Sequence, residues 1–201
     1  MEIGTRKYNA SRLDGNRNLV QAARKYRNFS RIENLVENFL RKNSFNHQSV
    51  LSVGCGAGKD VERIEKLFPS AKAYGVDMSR EAIKEAKKHS KADFICASSE
   101  YLPFIDGLKF DMIVSGHTLD MFPDKEYLKR IIGEITKHSS DGARFYMTFY
   151  GTGVQDLELD SCTPIGNTLS DFGWKNIHGK TYTFHKGTPY ACGVFWVEEK
   201  V

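Results

Sequence analysis

Three glycines at alternate positions, Gly54, Gly56 and Gly58, lie in the stretch SVGCGAGKD, between an apolar run and a segment with helical spacing. Glycine there lets the backbone turn tightly and come close to a ligand, while amides at the start of the next helix favour an electron-rich group. The spacing separates one ligand class from another. A dinucleotide fingerprint, GxGxxG, needs its last glycine at position 59, where Lys59 stands, and a phosphate loop ending in GK[ST] fails because Asp60 follows Lys59. What remains is GxGxG. Further along, Asp77 closes the apolar run AYGV, and a carboxylate in that place can accept from two neighbouring hydroxyls. His117, in VSGHTLDMFPD, offers an imidazole that titrates near neutral pH and suits a general base. Asp120 and Tyr150 are further acid–base candidates, though their places also suit a helix start and a sheet end. Cys55, Cys96, Cys162 and Cys192 form no CxxC pair and no Cys/His spacing that would hold zinc, so reduced thiols and no metal are expected.

These groups need elements to hold them. Apolar residues recur at three- and four-residue steps over 16–42, which predicts an amphipathic helix. VLSV from Val50 suits a buried parallel strand, 59–68 a helix stopped by Pro69, and 73–76 a second strand. Ser79 can cap the next helix, which carries Ala82, Ile83 and Ala86. Short strands follow at 93–97 and 110–114, then a helix over 127–135 and a fifth strand after Gly142. Strands alternating with helices make right-handed crossovers and a parallel sheet covered on both faces, so the class is α/β. Thr163 and Pro164 read as N-cap and first-turn proline of a short helix ending at Gly173. The β-rich runs 176–185 and 191–197, joined by the turn residues at 186–189, read as an antiparallel hairpin at the sheet edge. His178, His185, Trp174 and Trp196 are taken as packing residues of that region.

A chain of 201 residues, 40% hydrophobic and 27% charged, suits one domain with a proper core. The N-terminal residues lack the apolar stretch of a signal peptide, and no run is long and apolar enough to span a bilayer, so a cytoplasmic location is expected. The net charge of +4 is uneven: residues 1–42 hold ten Lys and Arg against four acids. A basic segment can draw in an anionic substrate, a nucleic acid or an acidic surface, and it can also be a solvated helix face.

The order of these features resembles the class I S-adenosylmethionine-dependent methyltransferases, from Val50 onward over most of the chain. GxGxG matches their first motif, Asp77 in YGVDMS their ribose-binding acid, and Met78 the residue that packs on the adenine. ICASSEYLPFIDGLKFD is similar to their GDAxxLPFxxxxFD stretch, with Ser98 where an aspartate commonly reaches the adenine amino group and Ser99 beside it. VSGHTLDMFPD is similar to the stretch found in the small-molecule enzymes of the ubiquinone and menaquinone type, and the NPPY motif of amino-methylating DNA and glutamine enzymes is absent. Two positions depart from the pattern: Ser52 stands where an acid usually precedes the glycines, and Ser98 replaces the aspartate.

The resemblance implies a Rossmann-like fold with a mostly parallel seven-stranded sheet, an antiparallel C-terminal hairpin and helices on both faces. It implies a single domain over 1–201, with a basic helical lid at 1–45, a cofactor-binding core at 46–150 and a C-terminal helix and hairpin at 151–201. S-adenosylmethionine is the implied cofactor, held by Gly54, Cys55, Gly56, Gly58, Asp77, Met78, Ser98, Ser99 and Ser115, with Tyr8 and Arg12 reaching from the lid. Methyl transfer to an O, N or C nucleophile of a small molecule follows, an anionic one being the second expectation. Because in-line displacement on a sulfonium gains most from orientation, His117 is needed only where the nucleophile carries a proton. Methylation of RNA or protein, and a non-catalytic cofactor-binding role suggested by Ser52 and Ser98, stay open at this point; nucleic acid is not favoured as a partner.

Overall fold

The computed structural model describes residues 48–116, 118–119, 125–152, 163–183 and 190–200. All of them lie in one compact unit, Ser44–Val201. The elements run β1 (Ser49–Val53), α1 (Lys59–Leu67), β2 (Lys72–Asp77), α2 (Arg80–Ala86), β3 (Asp93–Cys96), β4 (Phe110–Gly116), α3 (Lys125–Lys137), β5 (Ser139–Thr152), α4 (Thr163–Asp171), β6 (Trp174–Thr183) and β7 (Tyr190–Lys200).

The strands form one seven-stranded sheet in the order β3-β2-β1-β4-β5-β7-β6. β1 pairs in parallel with both β2 and β4, and β3 and β5 extend the parallel set outward. β7 runs antiparallel to β5 and to β6, so the expected hairpin is present, with β6 outermost and β7 between it and β5. The order reverses between β1 and β4, which opens a crevice beyond the carboxyl ends of those two strands.

Alternation along the strands sorts the side chains onto two faces. One face joins Leu51, Val53, Tyr74, Val76, Ile113, Phe145 and Met147 to Leu128, Ile131, Ile132 and Ile135 of α3, to Leu169 of α4 and to Trp174. The other face, which carries Val50, Ser52, Gly75, Phe94 and Met112, is covered by α1 and α2, whose Val61, Ile64, Ala82, Ile83 and Ala86 are buried.

β5 differs from expectation. Pairing with β4 begins at Ser139, ahead of Gly142, and jumps from Phe110↔Ser139 to Met112↔Arg144. Gly142, with φ +70°, belongs to this irregular stretch, so it bends the strand instead of preceding it. Among the described residues, no helix is long and apolar enough to cross a membrane.

Candidate functional site

The glycine loop leaves β1 with three left-handed residues, Gly54 (φ +70°), Gly56 (φ +53°) and Gly58 (φ +83°). Side chains rarely adopt such angles, so GxGxG is the pattern this turn requires. Amides of Gly54 and Cys55 both donate to the Val76 carbonyl, at 2.8 and 3.0 Å, which ties the loop to the end of β2. The glycines also differ in their surroundings. A Cβ at Gly54 would run into Thr118, and one at Gly58 would meet Ala86 and Phe94, whereas nothing lies within 4 Å of one at Gly56. Two glycines therefore admit protein, and the middle one faces open space.

Asp77 binds this open corner together. Its Oδ2 accepts from the Gly56 amide at 2.9 Å and its Oδ1 from the Ser79 amide at 2.8 Å. Ser79 in turn caps α2, its Oγ accepting from the Ala82 amide at 3.2 Å. A carboxylate has about four acceptor directions, so each oxygen keeps one for a ligand. Met78 beside it is 45% exposed, unusual for a large apolar residue next to a buried strand. Cys55 is buried, and burial, followed by the negative charges of Asp77 and Asp60, pushes its thiol far above the ordinary thiol range. It is a packing group without nucleophilic character. Cys55 and Cys96 are both free cysteines.

The segment after β3 brings Ser98 and Ser99 to the same end of the sheet. Ser98 folds into a turn, its Oγ accepting from the Glu100 amide at 3.3 Å and its carbonyl from Tyr101 at 3.1 Å. α3 straps this segment down. Arg130 Nε donates to the buried carboxylate of Glu100 at 2.6 Å, and its guanidinium lies 5.5 Å from the Tyr127 ring. Glu134 Oε1 accepts from the Leu102 amide at 3.2 Å. Burial first, and then the Glu100 charge, push the Tyr127 hydroxyl above its ordinary pKa. None of these α3 residues stood out in the sequence, because charged residues on an amphipathic helix look alike until one is buried.

At the end of β4, Ser115 is buried on the face of α3, and its hydroxyl has no partner among the described residues. Ser52, across the sheet on the other face, is in the same condition. Thr118 closes the back of the loop, its single hydroxyl proton shared between the carbonyls of Gly116 at 3.1 Å and Gly54 at 3.3 Å. The Asp60 carboxylate of α1 lies against Gly116, where a Cβ would have to sit. Thr118 and Asp60 lie within stretches quoted above, but only the crossover between β1 and β4 brings them to one place.

Gly54, Cys55, Gly56, Gly58, Asp77, Met78, Ser98, Ser99 and Ser115 thus gather at the carboxyl ends of β1 to β4. His117, Tyr8, Arg12 and Asp120 lie outside the described residues, as does the side chain of Tyr150.

Comparison with known proteins gives the same direction. Residues 50–142 match a methyltransferase domain. The chain is 30% identical over 129 residues to malonyl-[acyl-carrier protein] O-methyltransferase of Priestia megaterium, covering 62% of this chain and 45% of that protein. It is 38% identical over 66 residues to the mitochondrial ubiquinone biosynthesis O-methyltransferase of Schizosaccharomyces pombe, covering 33% of this chain and 23% of that one. The chain thus spans less than half the length of these curated relatives. N-methyltransferase NodS of Bradyrhizobium japonicum, solved with S-adenosyl-L-homocysteine, shares the fold at a TM-score of 0.64 and 18% identity, over 85% of this chain and 87% of that one. The GxGxG turn, the 3-2-1-4-5-7-6 sheet and the methyltransferase-domain match over 50–142 thus agree, and the chain shares its fold with S-adenosylmethionine-dependent methyltransferases.

Proposed function

We propose that the chain transfers a methyl group from S-adenosylmethionine to a nucleophile on a small molecule, with residues 46–150 as its cofactor-binding part. The observation that carries this reading is the corner between Gly56 and Asp77: open space above a glycine, beside a carboxylate whose two oxygens are already oriented by backbone amides.

The residues fit the cofactor. Asp77 would accept from both ribose hydroxyls, the exposed Met78 would cover the adenine, and Ser98 and Ser99 would meet its edge. The glycine loop would lie along the link between sugar and amino acid, with Ser115 at the end of β4 close to the reacting centre. Bound S-adenosylmethionine supplies a methyl group on a positively charged sulfur. The protein's own task is to hold the acceptor in line and keep water out, which can supply a large share of the acceleration. Where the acceptor carries a proton, His117, directly after β4, is the residue the sequence offers to take it.

Oxygen is the first acceptor atom to test, since both curated relatives above are named O-methyltransferases. Calorimetry should give measurable binding of S-adenosylmethionine and S-adenosylhomocysteine. Incubation with methyl-labelled cofactor and cell extract should then place label in the low-molecular-weight fraction. No heat with either compound removes the reading, and label confined to RNA or protein moves the substrate to a macromolecule.

A further inference from the structure

The contacts assigned above serve mainly the adenosine half of the cofactor. Its other half carries an α-ammonium group, and a cation that leaves water for a crevice is costly unless a carboxylate meets it. β1 reads SVLSV, so it brings no charge to this end of the site.

A carboxylate reaches the same place from another element. Asp60 is the second residue of α1, and its Oδ2 occupies the room that a Cβ at Gly116 would need. Glycine at the last position of β4 is what lets the carboxylate lie against the strand end. Register pairs Ser52 with Val114, so Ser52, Val114 and Gly116 share the face that Asp60 approaches. The Ser52 hydroxyl on that face is 1% exposed and lacks a partner among the described residues, a polar group left for a ligand or water to satisfy. Cys55, at the centre of the loop, is subject to the charges of both Asp77 and Asp60, which sets the two acids around it. The place is the crevice between β1 and β4 where the strand order reverses.

We propose that Asp60 is the counter-charge for the α-ammonium group of the cofactor, brought to the crevice between β1 and β4 by helix α1. This rests on the cofactor reading above. It makes Asp60 a binding residue, and it accounts for glycine at 116 as the position that admits the carboxylate.

The test compares three ligands on the full chain by calorimetry: S-adenosylmethionine, S-adenosylhomocysteine and 5′-methylthioadenosine, which keeps the adenosine and lacks the amino acid. Asp60→Asn is expected to weaken the first two by about tenfold to a hundredfold, the range of one charge-assisted hydrogen bond, and to leave the third unchanged. Should Asp60→Asn fail to fold, Gly116→Ala displaces the carboxylate while keeping its charge and is expected to show the same selective loss. Equal loss for all three ligands would mean that Asp60 only supports the loop, and overturns the proposal. Loss for S-adenosylmethionine alone would assign Asp60 to the sulfonium, and unchanged affinity for the first two would leave it without a role; either result also overturns it. If the wild-type chain binds none of the three, the cofactor reading itself has failed, which the wild-type titration shows before any variant is made.

Discussion

The two faces of the sheet differ in how much room they leave beside the strands. Toward α3 and α4, branched and aromatic side chains meet in a continuous core that ends on Trp174, whose ring lies 5.8 Å from Phe145. Toward α1 and α2, Ser52, Gly75 and Gly116 thin the surface, and the space is taken by Phe94 and Cys55 at Gly75 and by Asp60 at Gly116. One face is packed to hold the sheet. The other is pared down so that a loop, two carboxylates and a ligand can come close to the strand ends. The loop and the two acids thereby approach from the thinner side, while Ser115 and the Ser98 turn join the same strand ends from the side of α3.

Three variants bear on that division. The largest effect is expected for Trp174→Ala, which removes a fully buried ring and the indole hydrogen bond to Thr136 Oγ1 at 2.8 Å. Loss of about 3–5 kcal/mol in denaturant unfolding should result, with S-adenosylhomocysteine affinity of the folded fraction unchanged. A parallel fall in affinity would mean that the faces are coupled. Asp77→Asn should do the reverse, weakening that affinity by about tenfold or more through lost charge-assisted bonds, at a cost near 1 kcal/mol in stability. Should unfolding measurements show Asp77→Asn as damaging as Trp174→Ala, the open face would be structural after all.

The smallest effect concerns Cys55. Its thiol is held neutral in the fold, above its ordinary value of 9.0, while the unfolded chain releases that proton as pH passes about 9. The unfolded state then binds fewer protons, so this contribution to stability is complete below pH 9 and lost as pH rises beyond it, with a slope of at most about 1.4 kcal/mol per pH unit. Urea titrations at pH 8, 9 and 10 should show a steeper decline for the wild type than for Cys55→Ala; superimposed profiles would mean that the thiol is not sealed in.

What the residues disclose in advance follows from how local the determining physics is. The glycine turn, the acid at 77, the Ser79 cap and the alternation of strand and helix each depend on a few neighbouring residues, and each is found as expected. The hairpin, too, is visible from its turn residues. The start of β5 is not, because Gly142 reads as a breaker while its positive φ serves an irregular pairing with a strand 30 residues away. Asp60 against Gly116 and the α3 strap through Glu100, Arg130 and Glu134 are equally silent. An acid in a first helical turn looks like a favourable dipole partner until a crossover sets a strand end beside it. The site is thus legible where it is made of backbone, and obscure where it is made of side chains from distant segments.

The position of β7 has a consequence for how the chain is made. β6 leaves the ribosome first, yet among the described strands it pairs only with β7, which is synthesised later and itself closes onto β5. Until residues 190–200 are available, the outer edge of β5 stays open and β6 lacks its strand partner. A nascent or truncated chain stopped before Tyr190 therefore carries a bare strand edge, the feature through which unfinished sheets find one another and aggregate. β7, made after both of its neighbours, is the strand that ends that exposure.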